Sequence, residues 1–184
     1  MIHIRGTSVL GTLRFVRENY GPEAHARVVD SLAPRHQATF LGQIREGSWE
    51  PLEDLVAYME AARALLAPGD PGFYRRTGVY VGRVVGNSGF RYLLGSSPHT
   101  AVPRAAFMWS FLYDTGSVRI VSKEAREIVF QIVDFVPPGR AQCERIAGFV
   151  EGCFEVLGTP GVKVEETACV LEGAPHCTVR VSWP

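Results

Sequence analysis

Apolar side chains recur at helical spacing through the first part of the chain and alternate at strand spacing in the last third. Val9, Leu13, Val16 and Tyr20 follow the 3.6-residue period behind Thr7 and Ser8, either of which can cap the helix, and Gly21 ends it. Pro22 can open a second helix reaching about Ala33. Ser48 ahead of Pro51 announces a third, with Leu52, Leu55, Val56, Met59 and Leu66 on one stripe before Pro68 and Gly69. Ser97 and Pro98 start a further helix whose apolar residues, among them Val102, Phe107, Trp109, Leu112 and Tyr113, point to nearly every side and so predict burial all round.

Past Asp114-Thr115-Gly116 the period changes. Residues 117–122 and 126–135 read as strands, the second alternating Ile128, Phe130 and Ile132. A helix from Pro138 to Leu157 carries Ile146, Phe149, Val150, Phe154 and Leu157 on one stripe, and two β-branched runs around Gly173 make a terminal hairpin. The pattern predicts an α+β fold: a helical N-terminal half packed on a sheet of about four mostly antiparallel strands, with a helix crossing it. Residues 1–184 read as one domain, helical to about residue 115 and sheet-bearing from about 116.

The stretch from Gly69 to Ser97 is less regular, because six glycines recur among Tyr74, Tyr80, Phe90 and Tyr92. A helical glycine costs about 1 kcal/mol relative to alanine. Two outcomes are open, a broken helix that lids a pocket and a plain helix packed closely at its glycines. Gly148 and Gly152 lie four apart on one helical face, which suits close packing or a second subunit.

Nineteen basic and nineteen acidic side chains cancel, which removes the electrostatic case for nucleic-acid binding. The longest apolar run falls far short of the roughly 20 residues that span a bilayer. Met1 to Ser8 has no apolar signal region, so a reducing cytoplasm is expected. No nicotinamide fingerprint, Gly-x-Ser-x-Gly elbow or paired histidine motif occurs, and no catalytic role is expected.

The chemistry that stands out is the spacing Cys143-x22-Glu166-x2-Cys169-x7-Cys177. Cys169 and Cys177 are equidistant from Gly173 and can face each other across the hairpin. Cys143 lies one turn before Ile146, on about the face turned to the sheet. Glu166 and Cys169 differ by an odd number and alternate faces in a regular strand, so a bulge or an early strand end is required. Cys153 sits about 280° further round the helix and reads as a buried thiol. One metal ion, a cross-strand disulfide and unrelated thiols all satisfy this spacing, and His176 could replace Glu166 as a ligand.

Residues from Trp109 onward resemble the 4-vinyl-reductase-type small-molecule-binding domain of bacterial aromatic-compound sensors. The matching pieces are Trp109 to Gly116, Cys143 to Gly152, Glu165 to Cys169 and Gly173 to Cys177. The opening Gly6 to Gly21, with Trp49 to Leu52, resembles an uncharacterised bacterial family placed near these sensors and near haem nitric-oxide-binding domains. The resemblance implies a structural zinc held by Cys143, Glu166, Cys169 and Cys177, a homodimer, and a noncatalytic sensor whose signal passes to a separate output protein. The expected ligand is a small apolar or aromatic molecule or a lipid, with Tyr74, Tyr80, Phe90, Tyr92, His99, Phe107, Trp109 and Tyr113 as candidate lining residues. Two alternatives stand beside it. One is a haem-dependent gas sensor using His99, although the propionate motif Tyr-x-Ser-x-Arg is absent because Tyr113, Ser117 and Arg119 are wrongly spaced. The other is an assembly subunit with a vestigial or permanently filled pocket.

Overall fold

The computed structural model describes residues 1–89, 91–159 and 161–184, together with all their side chains except those of Leu93, His99, Val102, Pro103 and Ala105. The chain opens with strand β1 (His3–Arg5), then helices α1 (Gly6–Tyr20), α2 (Ala24–Ser31) and α3 (Pro34–Leu41). Strand β2 (Trp49–Pro51) leads into α4 (Leu52–Leu66), followed by α5 (Phe73–Asn87), α6 (Arg91–Leu94) and α7 (Pro98–Leu112). The last third holds β3 (Ser117–Lys123), β4 (Glu127–Val133), α8 (Arg140–Val156), β5 (Lys163–Ala168), a 3-10 turn and β6 (Cys177–Ser182). The four later strands form one antiparallel sheet in the order β3-β4-β6-β5, as the α+β pattern predicts.

Helix α1 buries Val9, Leu13 and Val16, and ends at Gly21 with a φ of 94°, a region open to glycine at no steric cost. Its start differs from expectation. The helix begins at Gly6 with no side-chain cap, and Ser8 is buried and bonded elsewhere. The expected second helix stops at Ser31, and a separate α3 follows. At α7 the expected cap is present: the Ser97 hydroxyl accepts from the Thr100 amide, and Thr100 bonds back to the Ser97 amide.

The glycine-rich stretch is a continuous helix, and its glycines are contact points. On α5 a Cβ at Gly78 would lie 2.1 Å from the Arg145 carbonyl oxygen, and one at Gly82 would lie 2.3 Å from that of Phe149. The relation is reciprocal. A Cβ at Gly148 would meet the Arg75 oxygen at 2.0 Å, and one at Gly152 the Val79 oxygen at 2.2 Å. No side chain fits between the two backbones, so α5 and α8 cross in direct main-chain contact. Arg75 staples this crossing with two bonds to Glu151, of 2.9 and 2.6 Å, and a third to the Val164 carbonyl of β5.

A pH effect arises in the helical half. Half-buried His25 lies 3.1 Å from the Tyr58 hydroxyl, and burial, with Arg17 adding to it, holds its imidazole below the usual value. The folded state therefore binds this proton less readily than the unfolded chain. Stability is expected to fall as pH drops below the ordinary imidazole value of about 6.5 and to level off below the folded-state value. Urea unfolding between pH 7.5 and pH 5 checks this, and His25→Gln should flatten that part of the profile.

Candidate functional site

Helix α8 lies between two possible sites, a sulfur cluster at its head and a cavity along its apolar stripe. At the head, Cys143 faces the end of the β5–β6 hairpin. Its sulfur lies 3.8 Å from that of Cys169, and Cys177 donates to Cys169 at 3.7 Å. The register of β5 against β6 shifts between Glu166 and Ala168 and the strand ends there, which brings Glu166 and Cys169 to one side despite their odd spacing. The ligand atoms of Cys143, Glu166, Cys169 and Cys177 all lie within 4.8 Å of one another, an arrangement able to hold a metal ion. Glu166 is already engaged, accepting a 2.5 Å bond from Arg140. Hydrogen bonding to Cys143 leads in drawing the Cys177 thiol down to about 6, while hydrogen bonding to Cys177 leads in pushing Cys143 up.

Cys153 is separate, as expected. It is buried under α5 with its sulfur 3.8 Å from the Gly82 carbonyl, and burial pushes its thiol up to about 12. The thiolate is the reactive form. A thiol reagent at pH 8 should therefore leave Cys153 unmodified in folded protein and reach it only after unfolding, as peptide mass spectrometry would record.

Along the stripe, α8 does not close fully on the sheet. Between α7, α8 and the strands lies a cavity of about 110 Å³. Helix α8 contributes Ile146, Phe149, Val150, Phe154 and Leu157; the strands contribute Val118, Ile120, Ile128, Phe130 and Val181; α7 contributes Met108, Trp109 and Leu112. Exposed Arg104 and Ile120 stand at its mouth, and Ser8, Tyr113 and Arg145 at its buried end. Of the expected lining residues, only Trp109 and Tyr113 are there, stacked with ring centroids 4.3 Å apart.

The other expected lining residues are elsewhere. Tyr80 donates to Glu18 and its ring packs edge-on against Phe15, and Tyr74 lies against Phe73, so both serve the α1–α5 packing. Tyr92 and Phe107 are exposed beside a shallow outer depression. Phe90 and the His99 side chain lie outside the described residues. The residues that α8 and the sheet place around the cavity were legible only as core, because an apolar stripe reads the same whether it meets side chains or a void. Arg145 offered one signal, a cation next to Ile146 in that helix.

Comparison with known proteins follows from this geometry. Residues 133–182 match the family model of the 4-vinyl-reductase domain, and no curated protein sequence matches the chain. Among solved structures, the chain resembles an Fe(II) unliganded H-NOX protein from K. algicida, at 10% identity and a TM-score of 0.72, covering 98% of this chain and 97% of that one. It resembles an oxygen-binding H-NOX domain related to soluble guanylate cyclases at 14% identity and a TM-score of 0.68, with 98% and 95% covered. A structure described as probing haem distortion in the H-NOX family gives 14% and 0.69 over the same shares. At these identities the likeness is one of fold.

These matches correct the expectation of a structural zinc. The proteins that share the fold over nearly the whole chain are described by haem, which points to haem rather than zinc. The cluster also has a physical account without an ion: the thiols bond to one another, and Arg140 neutralises Glu166. Haem in turn was tested against the cavity and does not fit the residues present. A cavity of about 110 Å³ is well below the ~300–1,000 Å³ that houses drug-sized ligands, and the described residues lining it include no histidine.

Proposed function

We propose that this chain is a noncatalytic ligand-binding sensor domain that takes a small apolar or aromatic molecule into the cavity between α7, α8 and the sheet, and that a separate protein reads its occupancy. The carrying observation is the cavity itself, nearly wholly apolar in its walls and sized near the ~150 Å³ of engineered core cavities that stay dry and accept benzene. Hydrophobic transfer would supply the affinity. A filled cavity would hold α7 against β3 and α8, and a ligand that binds one placement of α7 better shifts the population toward it. Glycine at position 95, with a φ of 74°, joins α6 to α7 and gives that wall a natural pivot.

The haem reading is favoured by one observation, the likeness of fold to haem proteins over 98% of the chain. The cavity's size counts against it. The absorption spectrum of protein produced with added haem precursor separates the two readings. The expected result is no Soret band, together with a saturable calorimetric signal for a single-ring aromatic. A stoichiometric Soret band would overturn the small-molecule reading in favour of haem. A tightly held lipid found by mass spectrometry of extracted protein would instead indicate a permanently filled assembly subunit.

A further inference from the structure

At the inner end of the cavity is a charge without a counter-charge. Arg145 is 1% exposed and lines the cavity. Its Nη2 donates to the Ser8 hydroxyl at 2.5 Å, the Ser8 carbonyl at 3.3 Å and the Thr12 hydroxyl at 3.5 Å. All three acceptors are neutral. The Nε is buried with no hydrogen-bond partner. A guanidinium carries five N–H donors and stays protonated, and buried charges in folded proteins are paired because an unpaired one forfeits its hydration.

The rest of the lining has the same sign. Among the described lining residues there are two arginines, Arg145 within and Arg104 at the mouth, and no carboxylate. Burial draws the Arg145 guanidinium below its usual value, with Tyr113 alone pushing the other way, so no acidic side chain offsets the cost. A purely structural role, joining α8 to α1 through Ser8, would account for Nη2 but not for Nε.

Resting on the small-molecule reading above, we propose that the cavity's ligand is a small apolar monocarboxylate, with its ring or short chain among Trp109, Phe130, Ile146 and Val150 and its carboxylate paired with Arg145. The apolar body fits the walls, and the single negative charge meets the one buried cation. Arg104 raises the local concentration of anions at the entrance. A neutral hydrocarbon of equal size would leave Arg145 unpaired and bind more weakly.

Isothermal titration of wild-type protein with benzoate and with benzamide, its neutral isostere, tests this near pH 7, where benzoate is ionised. Benzoate is expected to bind at least about tenfold more tightly, the usual worth of a hydrogen bond to a charge. Arg145→Gln should abolish that preference. Ser8→Ala, which keeps the charge, should retain it. Equal affinities, or tighter benzamide, on the wild type would overturn the proposal while leaving the apolar-cavity reading intact. A preference that survives in folded Arg145→Gln would also overturn it, by assigning the charge recognition elsewhere. Binding of neither probe would overturn the cavity reading itself, and this proposal with it. Should Arg145→Gln fail to fold, the wild-type pair still decides, and Arg145→Lys, which keeps the charge, is expected to retain the preference for benzoate.

Discussion

Gly148→Ala is expected to destabilise the protein by about 2–3 kcal/mol, toward the upper end of what overpacking a core costs. The reason is the nature of the atom the new methyl would meet. It would lie 2.0 Å from the Arg75 carbonyl oxygen and 3.0 Å from the Val79 amide nitrogen, both backbone atoms of α5 that cannot rotate aside. One whole helix must shift. The gain of about 1 kcal/mol in helix propensity is too small to offset that shift. Gly86→Ala is the matching control, since its methyl would meet side chains, Leu94 Cδ1 at 3.0 Å and Val156 Cγ2 at 3.1 Å, which can yield by tenths of an ångström. Its net change should stay within about 1 kcal/mol. Urea unfolding of the three proteins reads the difference. Because α8 is both one side of the crossing and one wall of the cavity, Gly148→Ala should weaken ligand binding as well.

Val150→Phe is expected to move stability and binding in opposite directions. Val150 is half-buried on the cavity wall, and a phenyl ring there occupies the space a guest would use. Filling a void restores contacts that its lining lacks, so the variant should be more stable than wild type by about 0.5–2 kcal/mol. Affinity for a single-ring guest should fall at least about a hundredfold, since overlapping volumes exclude each other. Thermal unfolding and calorimetry on one preparation give both readings. A lower stability with unchanged affinity would mean that the residue faces no usable cavity.

Much of this molecule is legible in its sequence, and what is not has identifiable physical causes. The 3.6-residue stripe of α1, the Ser97 cap of α7 and the alternation of Ile128, Phe130 and Ile132 in β4 each signal their element directly, because one buried face imposes a period. Helix α3 lacks such a signal, since only Phe40 is buried along it. Strands β1 and β2 are three residues each, too short for alternation to register. The glycines of α5 read ambiguously because their purpose lies far along the chain in α8, and one sequence does not reveal which helix will cross which. The convergence of Cys143, Glu166, Cys169 and Cys177 was legible from spacing and a hairpin. The identity of a bound ion was not, and the zinc expectation did not stand against the haem proteins that share the fold. Aromatic residues were a poor guide to the cavity: Tyr74 and Tyr80 serve helix packing, whereas the aliphatic stripe of α8 and the buried Arg145 form the cavity.

The account depends on a dry apolar cavity of ring size at one place in the fold. The measurement that tests it most directly is a crystal structure under xenon pressure, because xenon enters apolar voids of this kind without needing polar partners. The account predicts one xenon peak bounded by Met108, Trp109, Phe130 and Ile146, with little movement of α7 or α8. A xenon-free map in which those side chains close on one another would contradict it.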